Sequence, residues 1–342
     1  MEPPAIHPFR IIEPFLDGFL RTEALSAALL LGVIDALATA PAPVATLADA
    51  LHIDRTQLEM LTGMLVQHGV LEHDDTGLSL SDRFRHALRY RDLLEVRIDF
   101  ARRVRRTMLD YFTLSVRDPR QYQRKLVNFY KFDTRREYPE SVADMTRAFV
   151  RHMSTYTRYC APVLLARHDF SGYRRVLDIG GNNGETAIQL CRKHPQAQVT
   201  ILDLPAVCDL GIEHVGAAGL SDRITFQKTD ARVAPFPDGF DAAIFSSVLH
   251  DHEEPVIAQL LAKAHGALAP GGTLILWETY AFDFLREPFA EYHVELLPFF
   301  SYYGPPDRYV AELTRLGFRD IHSDAVEEIR FLLTTARRVN AS

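Results

Sequence analysis

Cysteine is scarce. The 342 residues hold three, Cys160, Cys191 and Cys208, scattered and without a C-x-x-C pair. That excludes a disulfide-built scaffold and a cysteine zinc site, and fits a reduced, cytoplasmic protein. Positive charge is not in excess either: 38 Lys and Arg against 45 Asp and Glu leave a net charge of −7. Nucleic acid and anionic membrane are therefore not expected as partners. The opening MEPPAIHPFR lacks the apolar core of a secretory signal. The longest apolar run, ALSAALLLGVIDALA, has Glu23 before it and Asp35 within it, is too short to cross a bilayer and reads as one buried helix. Repeats and low-complexity tracts are missing.

What remains is a globular composition, 47% hydrophobic and 24% charged, on a chain long enough for two domains. LADA (47–50) and RTQLEMLTGMLVQ (55–67) place Leu58, Leu61 and Leu65 at helical spacing. GVLEHDDTGLSLSD then predicts a hairpin turning at Asp74–Gly77. Helix, helix, hairpin is a winged-helix order. As a DNA reader it is poorly equipped, since its second helix offers Arg55 and also carries Glu59, and phosphate neutralisation dominates DNA affinity. A DNA-binding regulator is the alternative of another class. A packing or dimerisation role suits the composition better.

Residues 92–117 are expected to form one helix with an apolar stripe of Leu93, Val96, Phe100, Val104, Met108 and Tyr111, and ARRVRR on a solvated face. Residues 118–140 are polar, aromatic and irregular, and helix returns over 141–167. From Tyr173 the texture changes to short apolar runs alternating with helical stretches: RRVLDIG, QVTILDL, ITFQKTD, DAAIFSSV and GTLILWET. That alternation predicts an α/β doubly wound, mostly parallel sheet covered on both faces. GFRDIHSDAVEEIRFLLTTARR closes the chain as an antiparallel pair at the sheet edge. A boundary is expected near 168–172. The organisation is 1–90 a winged-helix-like domain, 91–170 a helical connector contributing to a substrate pocket, and 171–342 the catalytic domain.

VLDIGGNNGE (176–185) runs strand, glycine turn, helix. Gly180 and Gly181 let the backbone turn sharply and let a ligand come close. Such turns also serve dinucleotides, but three acids tilt the choice. Asp178 sits in the strand before the glycines. Asp203 ends the next strand, where it can take a ribose diol, and Asp230 ends the third, where it can accept from an adenine amino group. Acids at the carboxyl ends of strands suit a cationic, ribose-bearing ligand without phosphates, which is the chemistry of S-adenosylmethionine (SAM). The competing reading has Asp203 and Asp230 as helix caps.

These motifs resemble the plant-type and bacterial small-molecule O-methyltransferase family, class I SAM-dependent methyltransferases with an N-terminal winged-helix dimerisation domain. LADALHIDRTQLEMLTGMLVQHGVLEHDDTGLSLSD is similar to the family's N-terminal domain, VLDIGGNNGE to its glycine motif, ILDLP to its ribose motif, DAAIFSSVLHDH to its catalytic motif and APGGTLILWET to the strand that follows. The resemblance covers nearly the whole chain and is poorest over 90–150. It implies a seven-stranded sheet, a homodimer through the N-terminal domain, and SAM held by Asp178, Gly180, Gly181, Asp203, Leu204, Asp230, Ala231, Ser246 and His252. It also implies His250 as general base, oriented by Glu278, with Asp307 as a second acid. A phenol of pKa about 10 and an imidazole of about 6.5 can exchange a proton as the new bond forms.

The chain departs from the family in two places: His252 stands where a tryptophan is typical, and Ser246 where a lysine or asparagine is common. His250, Asp251, His252 and the later His293 also keep a metal reading open, in support of enolising a 2-oxo acid, but H-x-H without a clear third ligand recurs by chance and no metal is assigned. For the acceptor, the resemblance points to Met153, which core packing would explain equally. His293 is the other substrate candidate. Rings at Phe282, Phe284, Phe289, Tyr292, Phe299, Phe300, Tyr302 and Tyr303 suit an aromatic substrate or a dimer core, and Arg135 and Arg136 could receive a carboxylate. The resulting expectation is SAM-dependent methyl transfer to a small hydroxylated aromatic metabolite, on oxygen in preference to ring carbon, with the 2-oxo acid as a further alternative. The same base serves both phenolic outcomes, and only the acceptor's angle to the methyl group decides between them.

Overall fold

The computed structural model describes residues 7–339 apart from 16–18, 120, 123–139, 282, 284, 287–302 and 306; the side chains of 19, 104–109 and 140–145 also lie outside the described residues. The described residues divide into two compact units, those up to Met108 and those from Leu109 on.

In the first unit the apolar run is two helices, Phe19–Leu30 and Val33–Thr39, where one was expected. The break falls at Gly32, whose φ of 78° is left-handed and open to glycine at no steric cost. Leu25, Ala28, Val33, Ile34 and Leu37 are fully buried, so the run is core of this unit, and no single described helix is long and apolar enough to cross a membrane. Helices Val44–Leu51 and Arg55–Gln67 follow. Asp54 caps the second, its carboxylate accepting from Gln57 N at 3.0 Å. Leu58 and Leu65 are buried; Thr62 takes the turn between them and returns its hydroxyl to the Leu58 carbonyl. The hairpin pairs β1 (Leu71–Asp74) with β2 (Gly77–Leu80), Asp74 opposite Gly77, as expected.

Helix Arg91–Arg117 buries Leu93, Val96 and Phe100. Tyr111 leaves the helical region (φ −120°, ψ 17°) and is 39% exposed, so the expected stripe does not reach it.

The second unit is built on a seven-stranded sheet: β3 (Arg175–Ile179), β4 (Gln198–Asp203), β5 (Ile224–Lys228), β6 (Phe240–Ser246), β7 (Leu268–Thr279), β8 (Phe318–Val326) and β9 (Phe331–Arg338). The order is β5-β4-β3-β6-β7-β9-β8. The first five are parallel, and β9 and β8 add an antiparallel edge. Leu177, Ile179, Ala243, Phe245, Leu274 and Leu276 pack against Ile257, Leu260, Leu261 and Ala264 of helix Glu254–Ala267. Truncating one such leucine to alanine typically costs about 2–5 kcal/mol. The winding reverses between β3 and β6, and open parallel sheets bind ligands outside the carboxyl ends of the strands at that point.

Candidate active site

Two turns meet there. The first follows β3. Gly180 has φ 70°, and a Cβ on it would lie 2.6 Å from Val248 Cγ2 of the turn after β6. A Cβ on Gly181 would lie 2.5 Å from Asp178 Oδ2. Both positions are closed to any side chain, one by conformation and contact, the other by contact alone. Asn182 (φ 53°) and Gly184 (φ 87°) complete the turn into helix Glu185–Lys193.

Asp178 is 1% exposed and neither carboxylate oxygen has a hydrogen-bond partner among the described residues. Burial, with the Asp203 charge adding to it, pushes its pKa up to about 7. A buried, unpartnered carboxylate is costly unless a cation answers it, so this acid fits a sulfonium- and ammonium-bearing ligand. Asp203 accepts from Asn182 N at 2.8 Å and Leu204 N at 2.7 Å. It therefore ties the glycine turn to the end of β4 and opens helix Pro205–Ala217, with its remaining lone pairs available to a diol. Burial raises its pKa to about 6.

Asp230 holds its own loop. Its carboxylate accepts from Arg232 Nε at 2.9 Å, Arg232 Nη2 at 2.7 Å and Arg232 N at 2.9 Å. Lys263 Nζ donates to the carbonyls of Ala231, Arg232 and Ala234 at 2.8 to 2.9 Å, fixing this loop to helix Glu254–Ala267. Nothing in the local sequence signals that lysine. The His252 imidazole is pushed down to about 4, by burial first and the Arg232 charge second. It is a neutral ring at ordinary pH.

The second turn carries the H-D-H motif. β6 ends at Ser246, and Ser247 takes a left-handed φ of 58° and donates its N–H to the Trp277 carbonyl at 2.9 Å. That unusual backbone swings the chain into the single turn Leu249–Asp251. Glu278, 1% exposed on β7, receives it: Oε1 accepts from Val248 N and Leu249 N, both at 2.8 Å, and Oε2 lies 2.7 Å from His250 Nδ1. With a carboxylate as partner, Nδ1 carries the proton in the neutral ring and Nε2 keeps its lone pair. Burial works against the imidazolium, but the Asp251 charge and the hydrogen bond and charge of Glu278 outweigh it, so the His250 pKa is raised. Asp251 Oδ1 is 3.6 Å from Nε2 and its side chain is 45% exposed.

Other expected residues fall elsewhere. Asp307 is exposed on the turn before helix Val310–Arg315, and among the described residues no hydrogen bond or ion pair joins it to His250. The flank of the imidazole is taken by Tyr303, 9% exposed, with ring centroids 5.2 Å apart at 74°. Met153 is half-buried on helix Glu140–Arg167, one turn before Tyr156 and Thr157 and two before Cys160. Those three line a small cavity with Thr186, Ser246 and Trp277. His293, Arg135, Arg136 and the rings from Phe282 to Tyr302 lie outside the described residues. Among the described residues no group of three His, Cys, Asp or Glu is placed to hold a metal ion.

Residues 14–89 match the O-methyltransferase dimerisation domain, and residues 119–312 match the O-methyltransferase domain. The chain belongs to the O-methyltransferase family. A curated relative, the 3-hydroxy-5-methyl-1-naphthoate 3-O-methyltransferase of Streptomyces sahachiroi, is 31% identical over 297 residues, 82% of this chain and 80% of that protein. The L-tyrosine C(3)-methyltransferase of Streptomyces lavendulae is 32% identical over 139 residues, 41% of this chain and 38% of that protein. Human N-acetylserotonin methyltransferase in complex with SAM shares the fold, with a TM-score of 0.76 at 21% identity over 99% of this chain and 100% of that one. This O-methyltransferase is thus a SAM-dependent enzyme with a dimerisation domain in front of its catalytic domain, and the unpartnered Asp178 carboxylate fits that cofactor.

Proposed function

We propose that this O-methyltransferase acts on the hydroxyl of a small aromatic acceptor, with His250 as general base. The observation that carries the reading is the Glu278–His250 hydrogen bond, which leaves Nε2 as a lone pair on a buried ring of raised basicity. The hydroxylated aromatic named for the Streptomyces sahachiroi relative supports the acceptor class. SAM, when bound, supplies an electrophilic methyl group.

The chain's own residues supply the rest. Asp178 answers the cofactor's positive charge from beneath the Gly180–Gly181 turn. Asp203 and the Leu204 amide hold the end of the second strand where a ribose would sit. Asp230, Ala231 and His252 border the adenine side, where Arg232 has to share or release the Asp230 carboxylate. Ser246 offers a hydroxyl near the cofactor, and Met153 lies on the helix that faces it. His250 Nε2 takes the acceptor's hydroxyl proton while Glu278 keeps Nδ1–H in place, so a phenolate forms only where it can react. Alignment and proton removal are the whole of the demand, since in-line displacement at a sulfonium needs little further help.

The test is His250→Gln, with SAM affinity measured alongside turnover. The reading predicts a large loss of kcat with SAM binding intact. Unchanged turnover would remove His250 from the chemistry.

A further inference from the structure

The segment expected to bring a second acid to the base brings a phenol. Tyr303 is 9% exposed and stands edge-on to His250, 5.2 Å between centroids at 74°. Its backbone is clamped beside the strand that carries Glu278, because Ala281 N, two residues past the end of β7, donates to the Gly304 carbonyl at 2.9 Å. Gly304 is small for a reason: a Cβ there would lie 2.2 Å from Arg308 Cδ and 2.8 Å from Arg308 Cγ. The Arg308 stem packs across Gly304, and its guanidinium reaches Glu254 Oε1 from Nε at 2.9 Å and Nη2 at 2.7 Å. Glu254 begins the helix that follows the H-D-H turn. The turn bearing His250 and the segment bearing Tyr303 are thereby cross-braced.

Glu278 fixes one atom of the imidazole. That hydrogen bond does not by itself set the plane of the ring, which aims Nε2. A rigid ring packed against the imidazole helps to fix that plane. Building on the base reading above, we propose that Tyr303 is a positioning residue that sets the tilt of His250 by ring packing. The contribution assigned to Tyr303 is that of its ring, which lies 5.2 Å from the imidazole at 74°, and the Phe variant separates it from the hydroxyl. Displacing a reacting group by about 1 Å can slow a reaction about 100-fold, which sets the scale.

The experiment compares Tyr303→Phe, Tyr303→Leu and His250→Ala in full-length enzyme, reading kcat, acceptor KM, SAM affinity and the Nδ1–H proton resonance of selectively labelled histidine. The expected result is near-normal kcat and a persistent resonance in Tyr303→Phe. Tyr303→Leu should lose kcat about 10- to 100-fold with SAM affinity and KM little changed, and its resonance should be broadened. Should Tyr303→Leu lose SAM binding, Tyr303→Met fills the volume without holding a plane and takes its place. Normal kcat in the Leu or Met variant would overturn the proposal while leaving the base reading intact. A Phe variant as slow as Leu would overturn it in favour of the hydroxyl. Full activity in His250→Ala would bring down the base reading and this proposal with it.

Discussion

Glu278 makes three hydrogen bonds and shares them between structure and chemistry: two to the amides of Val248 and Leu249, and one, at 2.7 Å, to Nδ1 of His250. The carboxylate that shapes the turn is the one that sets the tautomer of the ring on it.

Replacing Glu278 should therefore damage stability and turnover together. Glu278→Gln keeps one acceptor oxygen, so either an amide pair or the imidazole faces an NH2 group. About 1–3 kcal/mol of stability should go, visible in urea unfolding, and kcat should fall at least about 10-fold through the wrong tautomer. Wild-type stability with lost activity would separate the two roles.

The pH profile has a definite direction. As the proposed base His250 has to be neutral, and its pKa is raised because Asp251 and Glu278 outweigh the opposing effect of burial. kcat/KM should fall as pH drops, with its limb above the ordinary histidine value of about 6.5. Glu278→Gln should move that limb down. For stability the sign is opposite: a raised histidine pKa stabilises the fold below about 6.5, and this is lost as pH climbs through the folded value. A limb below about 6.5 would contradict the assignment.

Asp178 gives a prediction about the cofactor-free protein. Its pKa of about 7 means that the folded state keeps a proton the unfolded chain has released, so the fold loses stability as pH rises from about 4 to about 7. Asp178→Asn removes that penalty, and at pH 8 the free protein should gain on the order of a few kcal/mol. SAM affinity, measured by calorimetry, should fall in the same variant because the cation loses its partner.

Gly180→Ala should abolish SAM binding while leaving the first unit folded. The new methyl would sit at a φ of 70° and 2.6 Å from Val248 Cγ2, pushing apart the two turns that form the site. Calorimetric titration with SAM checks it.

Residues 14–89 match a dimerisation domain, so sedimentation equilibrium should give twice the 38.8 kDa of one chain. A monomer at micromolar concentration would be unexpected.

Much of this was legible in the residues. The central strands β3 and β6 announced themselves because most of their residues are buried and so form a short apolar run, the half-exposed edge strand β5 by its place in the alternation, and the antiparallel edge pair because β8 and β9 follow each other closely. Asp178, Asp203, His250 and Glu278 were singled out because each ends, or closely follows the end of, a strand run. What stayed hidden depends on contacts between distant segments. Nothing near Tyr303 says that its ring meets His250, and nothing near Lys263 says that it holds the loop after Asp230. The break at Gly32 lay inside an apolar run whose composition alone does not distinguish one helix from two. Tyr111 kept the helical spacing in sequence but not the helical backbone.

Methyl transfer to an acceptor hydroxyl, with His250 as the proposed base, is open to direct test. Turnover with methyl-labelled SAM on a set of hydroxylated aromatics, with products read by mass and carbon NMR and His250→Ala run alongside, tests it most directly. The expected result is a methoxy product whose formation drops about 10²–10⁴-fold in the variant while SAM still binds. A methyl on ring carbon, or a variant as fast as the natural enzyme, would contradict it.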